Sequence, residues 1–372
     1  MKALLLDTGF SAAPILRALK RRGLEVVTMG RDPRDDLVSQ SDHYVEADYA
    51  NTGNVVQAFL DVSADVIVPG CTDVSYLSAS RAAAELQLSG YDDPAVVEVL
   101  HSKNCFRELC HQVGVPAPRV YEATTFAASF GGPVIIKPVD SYSGRGITVL
   151  KDPNPETFEQ ALLTAREASN SNEVIVEDYI EGQLYSHSAF LFAGRVVSHF
   201  SVVEFGFESE FTVDTSFLGG DERAEPLNAM VESLAQRVGI EHGLMHLQYL
   251  LSGQDIFAIE LARRCPGDLY AELIRRSTNY DYAEAYIAAF LGQPPLPGPN
   301  ERDAMHVRRT IKRKDSQWPV EMHLPKGVRS LAYYPIKRPK RAGDDRVAIA
   351  IFHVDDARAR DTMMATLSAS EL

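Results

Sequence analysis

Several features that mark large classes of protein are missing or rare in this sequence of 372 residues. Its four cysteines show no Cys-x-x-Cys spacing, which argues against a disulfide framework and against a cysteine-based zinc site. No apolar run is long enough to span a bilayer and no signal peptide is recognisable, so we expect a cytoplasmic protein with no membrane partner. The net charge of −14 argues against general nucleic-acid binding, which needs a basic surface.

The first hundred residues alternate between short apolar strands and helical segments. This β-α-β alternation predicts a doubly wound α/β domain with a parallel sheet. The first turn, residues 7–11, lacks the Gly-x-Gly-x-x-Gly spacing of dinucleotide-binding domains, so that role is not predicted. Thr72 and Asp73 follow the third strand at its carboxyl end, where open α/β sheets place ligands. The predicted strands are residues 2–6, 25–29 and 65–69, and the predicted helices are residues 14–22, 55–62 and 79–86.

Residues 134–150, VIIKPVDSYSGRGITVL, are the most informative stretch of the chain. Two apolar runs, 134–136 and 147–150, predict an antiparallel pair of strands, and Lys137 lies where the first strand ends. The loop of residues 141–146 is longer than a tight hairpin needs, and its glycines let backbone N–H groups approach an anion. The pattern indicates a phosphate site, although a mobile hairpin with a surface lysine would show the same residues.

Three further features lie on either side of this hairpin. Lys103 is in the first turn of a helix predicted to start at Ser102 and to end at Gly114, where a lysine indicates either a nearby anion or a solvated side chain. Residues 174–182, VIVEDYIEG, suit a strand that crosses between subdomains and offers backbone groups to an adenine edge. Glu260 and Arg264 lie where the second strand of a predicted hairpin, residues 255–261, comes to its end. The Glu260 carboxylate could bind Mg²⁺ and Arg264 could bind a phosphoryl group, or the two side chains could form a surface ion pair.

In their order and spacing, Lys103, the Lys137 hairpin, the VEDYIEG segment and the sequence ELARR of residues 260–264 resemble the ATP-grasp superfamily of carboxylate–amine ligases. The resemblance spans about residues 1–293 and implies an α/β chain, in part α+β. The implied architecture is an ATP-grasp fold preceded by the doubly wound domain. The expected boundaries are residues 1–100 for the α/β domain, 101–182 for the small ATP-grasp subdomain with a glycine-rich lid, 183–300 for the large subdomain with the metal and catalytic residues, and 301–372 for a small C-terminal β-rich cap.

The expected cap rests on two apolar runs, residues 328–336 and 347–354, which predict a pair of strands. Basic side chains are also concentrated in this region, between residues 312 and 341. Clusters of this kind are typical of a solvated face, so we expect no nucleic-acid partner there.

The resemblance also implies roles for individual residues. Lys103 and Lys137 would contact the phosphates of ATP, and Lys137 would act in catalysis together with Arg264, which would steady an acyl phosphate. The other nucleotide-binding residues would be Ser141, Ser143, Gly144, Arg145 and Gly146 in the lid, and Glu177, Tyr179, Ile180 and Gln183 around the adenosine. The metal ligands would be Glu260 and Gln248, and the substrate-binding residues Thr72, Asp73, His246, Gly267 and Asp268.

Three positions depart from the usual pattern of the family. Gln248 stands where a second metal-binding acid is usual, and a neutral amide binds Mg²⁺ weakly. Ala262 replaces an asparagine between Glu260 and Arg264, in a form that resembles the ligases of L-amino acids. Gln183 replaces an acid that holds the ribose.

The implied reaction is ATP-dependent phosphorylation of a small carboxylate, in the leading hypothesis an amino acid, followed by attack of an amine to form an amide or peptide bond. The implied cofactors are ATP and Mg²⁺. The implied partners are a carboxylate and an amine of low molecular weight, and a homodimer is left open. One alternative is a ligase or kinase that acts on a carboxylate other than an amino acid. Another, motivated by Gln248 and Ala262, is a degenerate nucleotide-binding protein without turnover.

Overall fold

Three sheets follow one another along the chain in the structure, which is a computed structural model. The structure describes residues 1–123, 130, 132–139, 144–206, 211–298, 304–312, 326–336 and 345–369. Within these residues, no helix is both long enough and apolar enough to cross a membrane.

The first sheet is parallel, as the alternating pattern predicts, and has four strands, one more than the three predicted. Its elements are β1 (Lys2–Leu6), α1 (Ala13–Arg21), β2 (Glu25–Gly30), β3 (His43–Glu46), α2 (Thr52–Asp61), β4 (Val66–Pro69), α3 (Asp73–Glu85) and α4 (Pro94–His101), and the strand order is β3-β2-β1-β4. Leu5 shares an apolar cluster with Ile15 of α1, whereas Leu4 shares another with Phe59 of α2. Because helices cover both faces of the sheet, the predicted doubly wound domain is confirmed.

Helix α3 begins earlier than the sequence pattern indicates. The apolar spacing predicts residues 79–86, but the helix starts at Asp73. The Thr72 side-chain oxygen accepts a hydrogen bond from the Ser75 N–H at 3.1 Å and so caps the helix. The loop after β4 is therefore shorter than expected, and Asp73 lies in the first turn of α3.

The second sheet is antiparallel and contains the predicted Lys137 hairpin. Its elements are α5 (Lys103–Val113), β5 (Val120–Tyr121), β6 (Val134–Pro138), β7 (Thr148–Leu150), α6 (Pro155–Ala168) and β8 (Val174–Asp178), in the strand order β5-β8-β6-β7. Val134 pairs with Leu150, so the predicted pairing of the two apolar runs is confirmed. Gly114 ends α5 with a φ of 72°, a left-handed conformation that glycine adopts without steric strain.

The third sheet is antiparallel and has eight strands, in the order β13-β12-β9-β10-β11-β14-β16-β15. Its strands are β9 (Gln183–Phe192), β10 (Arg195–Phe205), β11 (Thr215–Leu218), β12 (Gly243–Ser252), β13 (Asp255–Ala262), β14 (Met305–Lys312), β15 (Val328–Pro335) and β16 (Arg346–Val354). The helices of this part are α7 (Ala224–Val238), α8 (Tyr270–Thr278), α9 (Tyr282–Phe290) and α10 (Ala357–Ala369). The predicted pairing of the two C-terminal strands is confirmed. They join the rest of the sheet through β14, which pairs with β11.

The third sheet packs directly against the first domain. Tyr282 and Ile287 of α9 belong to the same apolar cluster as Leu5 and Ile15. A polar contact joins the same two parts, because the Ser11 hydroxyl donates a hydrogen bond to the Gly267 carbonyl at 2.6 Å. The chain that leaves β13 is thereby held against the carboxyl ends of the parallel strands.

Candidate active site

Strands β10, β12 and β13 bring most of the predicted catalytic and metal-binding residues to one cavity of about 180 Å³. Gln248 on β12 lies directly opposite Glu260 on β13. Strands β9 and β10 continue the sheet beside β12, so side chains from several strands share one face. The predicted residues that line the cavity are His246, Gln248, Glu260, Arg264, Gly267 and Asp268, and its other lining residues are Glu204, Val213, Ala262 and Pro266.

Glu204, near the end of β10, lines this cavity although the sequence analysis does not single it out. Its side chain is buried, and both of its oxygens accept hydrogen bonds. The Ser186 hydroxyl donates to Oε1 at 2.8 Å, and Gln248 Nε2 donates to Oε2 at 2.9 Å. Burial, reinforced by the nearby Asp268, raises the pKa of Glu204 to about 7. A buried carboxyl group therefore lies beside the predicted metal ligands.

Glu260 and Gln248 fit a magnesium ion that is shared with a nucleotide. Mg²⁺ prefers oxygen ligands, and in nucleotide sites it takes one or two carboxylates together with phosphate oxygens. Glu260 is exposed at the cavity, and Gln248 can offer its amide oxygen. Among the described residues, no group of three or more His, Cys, Asp or Glu side chains could hold a metal ion. Glu260 and Gln248 thus suit a cation whose coordination is completed by the phosphate oxygens of a bound nucleotide.

Arg264 forms a bidentate ion pair with Asp73 of the first domain. Arg264 Nε donates to Asp73 Oδ1 at 2.9 Å, and Nη2 donates to Oδ2 at 3.1 Å. Burial alone would raise the pKa of Asp73, but Arg264, His101 and Lys103 lower it to about 2. The two predicted residues therefore meet as full charges. The pair shows that the Arg264 guanidinium can bind a planar oxyanion.

His246 and Asp268 occupy other parts of the cavity wall. His246 is buried, and its Nδ1 lies 2.8 Å from the Ser188 hydroxyl. Burial, together with Arg264, lowers the pKa of His246 to about 3, so the imidazole is neutral at physiological pH. The Asp268 carbonyl accepts a hydrogen bond from Arg308 Nε at 2.9 Å. The next residue, Leu269, has a φ of 62°, an uncommon backbone conformation for leucine, and α8 starts directly after it.

On the nucleotide side, Lys137 belongs to a buried charge cluster with Glu177 and Arg107. Lys137 Nζ contacts Glu177 Oε2, and Arg107 Nε lies 2.5 Å from Glu177 Oε1. Burial lowers the pKa of Lys137, against the opposing effect of Glu177. Burial would raise the pKa of Glu177, but Lys137 and Arg107 hold it below its usual range. The Glu177 side chain thus anchors the lysine predicted to bind phosphate.

Arg107 is a second charged residue that the sequence analysis does not single out. It lies four residues after Lys103 on α5, and residues at this spacing share one face of a helix. Lys103 itself donates a hydrogen bond from Nζ to the Val139 carbonyl at 3.3 Å, next to the predicted lid. The helical spacing from Lys103 was therefore the signal in the sequence that could have identified Arg107.

The segment predicted to line the adenosine is held by backbone contacts at the end of the second sheet. The Tyr179 N–H donates to the Pro133 carbonyl at 3.0 Å, so this group is engaged within the protein, and Ile180 follows directly after it. A Cβ atom on Gly182 would lie 2.6 Å from the Leu251 carbonyl oxygen, so only glycine fits at this crossing. Gln183 Nε2 donates to the Glu204 carbonyl at 2.6 Å, which ties the segment to the cavity strands.

The base of the predicted lid packs tightly on its surroundings. Gly144 and Gly146 both have a φ of 71°. A Cβ atom on Gly146 would lie 2.4 Å from the Ala168 Cβ, and one on Gly144 would lie 2.9 Å from the Phe211 Cβ. Arg145 between them is exposed. Two other lid residues, Ser141 and Ser143, lie outside the described residues.

Comparisons with known proteins bear on the fold in which this cavity lies. Residues 130–272 match a family model described as an ATP-grasp domain. The carbamoyl phosphate synthase large chain of Mycobacterium sp. (strain JLS) is 25% identical over 214 residues, which are 54% of this chain and 18% of that protein. An uncharacterized protein of Sinorhizobium fredii is 22% identical over 310 residues, 78% of this chain and 64% of that protein. The match to the synthase thus spans less than a fifth of the synthase's length.

Several solved structures share the whole architecture. L-amino acid ligase from Bacillus licheniformis superposes with a TM-score of 0.77 at 15% identity, covering 99% of this chain and 96% of that chain. N5-carboxyaminoimidazole synthetase from Staphylococcus aureus, complexed with ADP, gives 0.78 at 14% identity, with coverages of 99% and 96%. Phosphoribosylglycinamide synthetase from Anaerococcus prevotii gives 0.75 at 16% identity, with coverages of 98% and 97%. The family model thus matches residues 130–272, and the structural likenesses show that the chain has the ATP-grasp fold behind an N-terminal parallel α/β sheet.

Proposed function

We propose that this protein is an ATP-dependent ligase. It phosphorylates a small carboxylate, an amino acid in the leading form of the proposal, and joins it to an amine with release of ADP and phosphate. The observation that carries the proposal is the common cavity of Gln248, Glu260 and Arg264, in which the arginine already binds a carboxylate, that of Asp73. Because the proposed reaction consumes ATP, we expect it to take place in the cytoplasm, where ATP is available.

The first step is the transfer of a phosphoryl group. A substrate carboxylate oxygen attacks the γ-phosphorus of ATP, the bond between that phosphorus and the ADP oxygen breaks, and an acyl phosphate forms. Lys103 and Lys137 offset the negative charge of the phosphates. Glu260 and Gln248 would hold Mg²⁺, which would supply further charge neutralisation.

The second step forms the new amide. The amine nitrogen attacks the carbonyl carbon, the bond from that carbon to the phosphate oxygen breaks, and phosphate leaves with the electron pair. The proton that the amine loses passes to the departing phosphate or to solvent. Arg264 stabilises the negative charge that develops on the carbonyl oxygen during the attack. No protein nucleophile takes part in either step.

The charges around the cavity support an amino acid as the substrate. A zwitterionic amino acid needs a cation for its carboxylate and anions for its ammonium group. Arg264 supplies the cation, while Asp268 supplies a carboxyl group in the same cavity. Ala262 adds support, because its position gives the motif the form that resembles ligases of L-amino acids.

A test incubates the protein with ATP, Mg²⁺ and pairs of amino acids and measures nucleotide and phosphate release. The proposal predicts ADP and phosphate with a restricted set of pairs, and formation of AMP would contradict it. Omission of the amine, with hydroxylamine present to trap an acyl phosphate, detects a kinase that stops at the first step. ATP binding without turnover across the panel would instead support the nucleotide-binding alternative.

A further inference from the structure

We propose that Glu204 fixes the orientation of the Gln248 side-chain amide, so that Gln248 presents its oxygen as a magnesium ligand beside Glu260. The inference deepens the proposed function and rests on it, because it assumes a magnesium–nucleotide complex at this cavity. Glu204 is thereby assigned as a positioning residue that acts through Gln248 and makes no contact with the metal.

The hydrogen bonds of Glu204 define which end of the amide faces it. Gln248 lies 2.9 Å from Glu204 Oε2 through its Nε2 atom. In its ionised form Glu204 only accepts hydrogen bonds, and the amide NH₂ group is the only donor that Gln248 carries at its end. The NH₂ group therefore points to Glu204, which leaves Oε1 as the amide atom available to the cavity.

Glu204 is itself held in place. Its other oxygen, Oε1, accepts the hydrogen bond from the Ser186 hydroxyl at 2.8 Å, and its side chain is only 4% exposed. Ser186 on β9 lies directly opposite Gln248 on β12, so the three side chains come from adjacent strands of a rigid sheet. Because strand register fixes all three, the amide has one favoured orientation.

The orientation of the side-chain end group matters for a glutamine, but it does not matter for the acid that is usual at this position in the family. A carboxylate has two equivalent oxygens, so half a turn about its last bond leaves its metal-binding capacity unchanged. Half a turn of an amide exchanges the oxygen for an NH₂ group, which carries a partial positive charge and binds no cation. The replacement of an acid by Gln248 therefore creates a requirement that the neighbouring Glu204 meets.

The experiment measures binding of Mn²⁺, used as a paramagnetic probe for Mg²⁺, to the full chain saturated with a non-hydrolysable ATP analogue. Glu204→Gln is nearly isosteric, and its new NH₂ group can turn the Gln248 amide around. We expect this variant to bind Mn²⁺ about 10–100-fold more weakly, the usual effect of losing a residue that orients a metal ligand. Affinity for the metal-free analogue, measured with a chelator present, should be unchanged.

Two double variants separate positioning from direct ligation. If Glu204 acts only through Gln248, the double variant Glu204→Gln/Gln248→Ala binds Mn²⁺ no more weakly than Gln248→Ala alone. In Glu204→Gln/Gln248→Glu the amide and the carboxylate exchange places, so the new amide donates to the new carboxylate and Mn²⁺ binding is restored. Additive losses in the first double variant, or no recovery in the second, would overturn the inference.

Ser186→Ala and Glu232→Gln serve as further comparisons. Ser186→Ala loosens Glu204 but leaves Gln248 and Glu260 intact, so it should weaken Mn²⁺ binding by a smaller factor than Glu204→Gln. Glu232→Gln removes the same charge on α7, where Glu232 pairs with Arg195, and should leave binding unchanged. If the wild type binds no Mn²⁺ with the analogue, the proposed function is wrong. If the wild type and Glu204→Gln bind Mn²⁺ equally, only this inference is wrong.

Discussion

Arg264 and Asp73 show how single side chains join the two halves of the candidate site. Asp73 belongs to α3 of the first domain, whereas Arg264 follows β13 of the third sheet. Their two hydrogen bonds, at 2.9 and 3.1 Å, hold the guanidinium in one plane at the cavity. A long arginine side chain is otherwise free to adopt many rotamers, so in the proposed reaction Asp73 pre-organises it for the developing oxyanion.

The variant Asp73→Asn should reduce kcat/KM for ADP release about 10–100-fold, because a hydrogen bond to a charged group contributes roughly 1.5–3 kcal/mol. Steady-state assays with the best substrate pair measure this effect. Glu85→Gln is the matched control, since it removes the same charge from the exposed far end of the same helix. A loss of equal size in both variants would show that charge, and not orientation of Arg264, matters.

Short spacing in the sequence was enough to predict that some of the candidate site residues lie close together. Glu260, Gln248 and Arg264 were predicted together, since a hairpin brings them close, and they do line one cavity. Glu204 and Arg107 were not predicted, although each touches a predicted residue. Glu204 and Gln248 are 44 residues apart in the sequence and meet because β10 and β12 both pair with β9. A local pattern in one sequence does not predict the register of such distant strands.

In the proposed function, nucleotide binding depends on the hairpin of β6 and β7. Gly146 lies at its lid end in a left-handed conformation, close to the Ala168 Cβ of α6. A side chain there would meet both a backbone conformation that L residues avoid and a steric clash. The lid is therefore anchored at a position where only glycine fits.

We expect Gly146→Ala to lower the free energy of unfolding by at least about 1–2 kcal/mol and to weaken binding of an ATP analogue. Gly194→Ala is the control, because Gly194 has a φ of 74° but a Cβ added there would meet no atom of the described residues within 4 Å. It should lower stability through the backbone alone and leave nucleotide affinity unchanged. Urea denaturation and calorimetry measure the two quantities, and equal nucleotide affinity in both variants would contradict the role given to the lid.

Among the elements, the strands with strong apolar periodicity were predicted close to their observed bounds. Helix α3 was predicted six residues too short at its start, because Ser75 and Ser78 interrupt the apolar pattern although they are buried. The missed turns pack against other elements, and the Tyr76 hydroxyl donates a hydrogen bond to the Asp92 carboxylate at 2.8 Å. A local sequence pattern does not predict such contacts between distant segments.

Across the whole molecule, Glu272 links parts that are far apart in the chain. Its side chain is 3% exposed and meets Arg17 of α1, Arg275 and Arg276 of α8, and Tyr334 of β15. Burial alone would raise the pKa of Glu272, but Arg275, Tyr334 and Arg17 lower it to about 2. The carboxylate thus ties the first domain and the C-terminal strands to the same helix.

Because the folded-state pKa of Glu272 lies below its unfolded value of 4.5, the ionised group stabilises the fold above that pH and loses this contribution as the pH falls toward 2. At neutral pH, Glu272→Gln should lower the free energy of unfolding by up to about 3 kcal/mol, the limit that the pKa shift of Glu272 sets. Denaturant unfolding across this pH range should show the difference between wild type and variant shrinking. Glu98→Gln, at an exposed pair with Arg81, should have little effect at any pH. A constant difference for Glu272→Gln would contradict the assignment.

The most direct test of the proposed acyl phosphate intermediate follows the oxygen atoms of the substrate carboxylate. Amino acids labelled with oxygen-18 in the carboxyl group are incubated with ATP, Mg²⁺ and the protein, and the released phosphate is analysed by mass spectrometry. An acyl phosphate carries one carboxylate oxygen as its bridge to phosphorus, and that oxygen leaves with phosphate when the amine attacks the carbon. The acyl phosphate mechanism predicts one labelled oxygen in each phosphate released with the amide product. Unlabelled phosphate, or label in AMP, would contradict it.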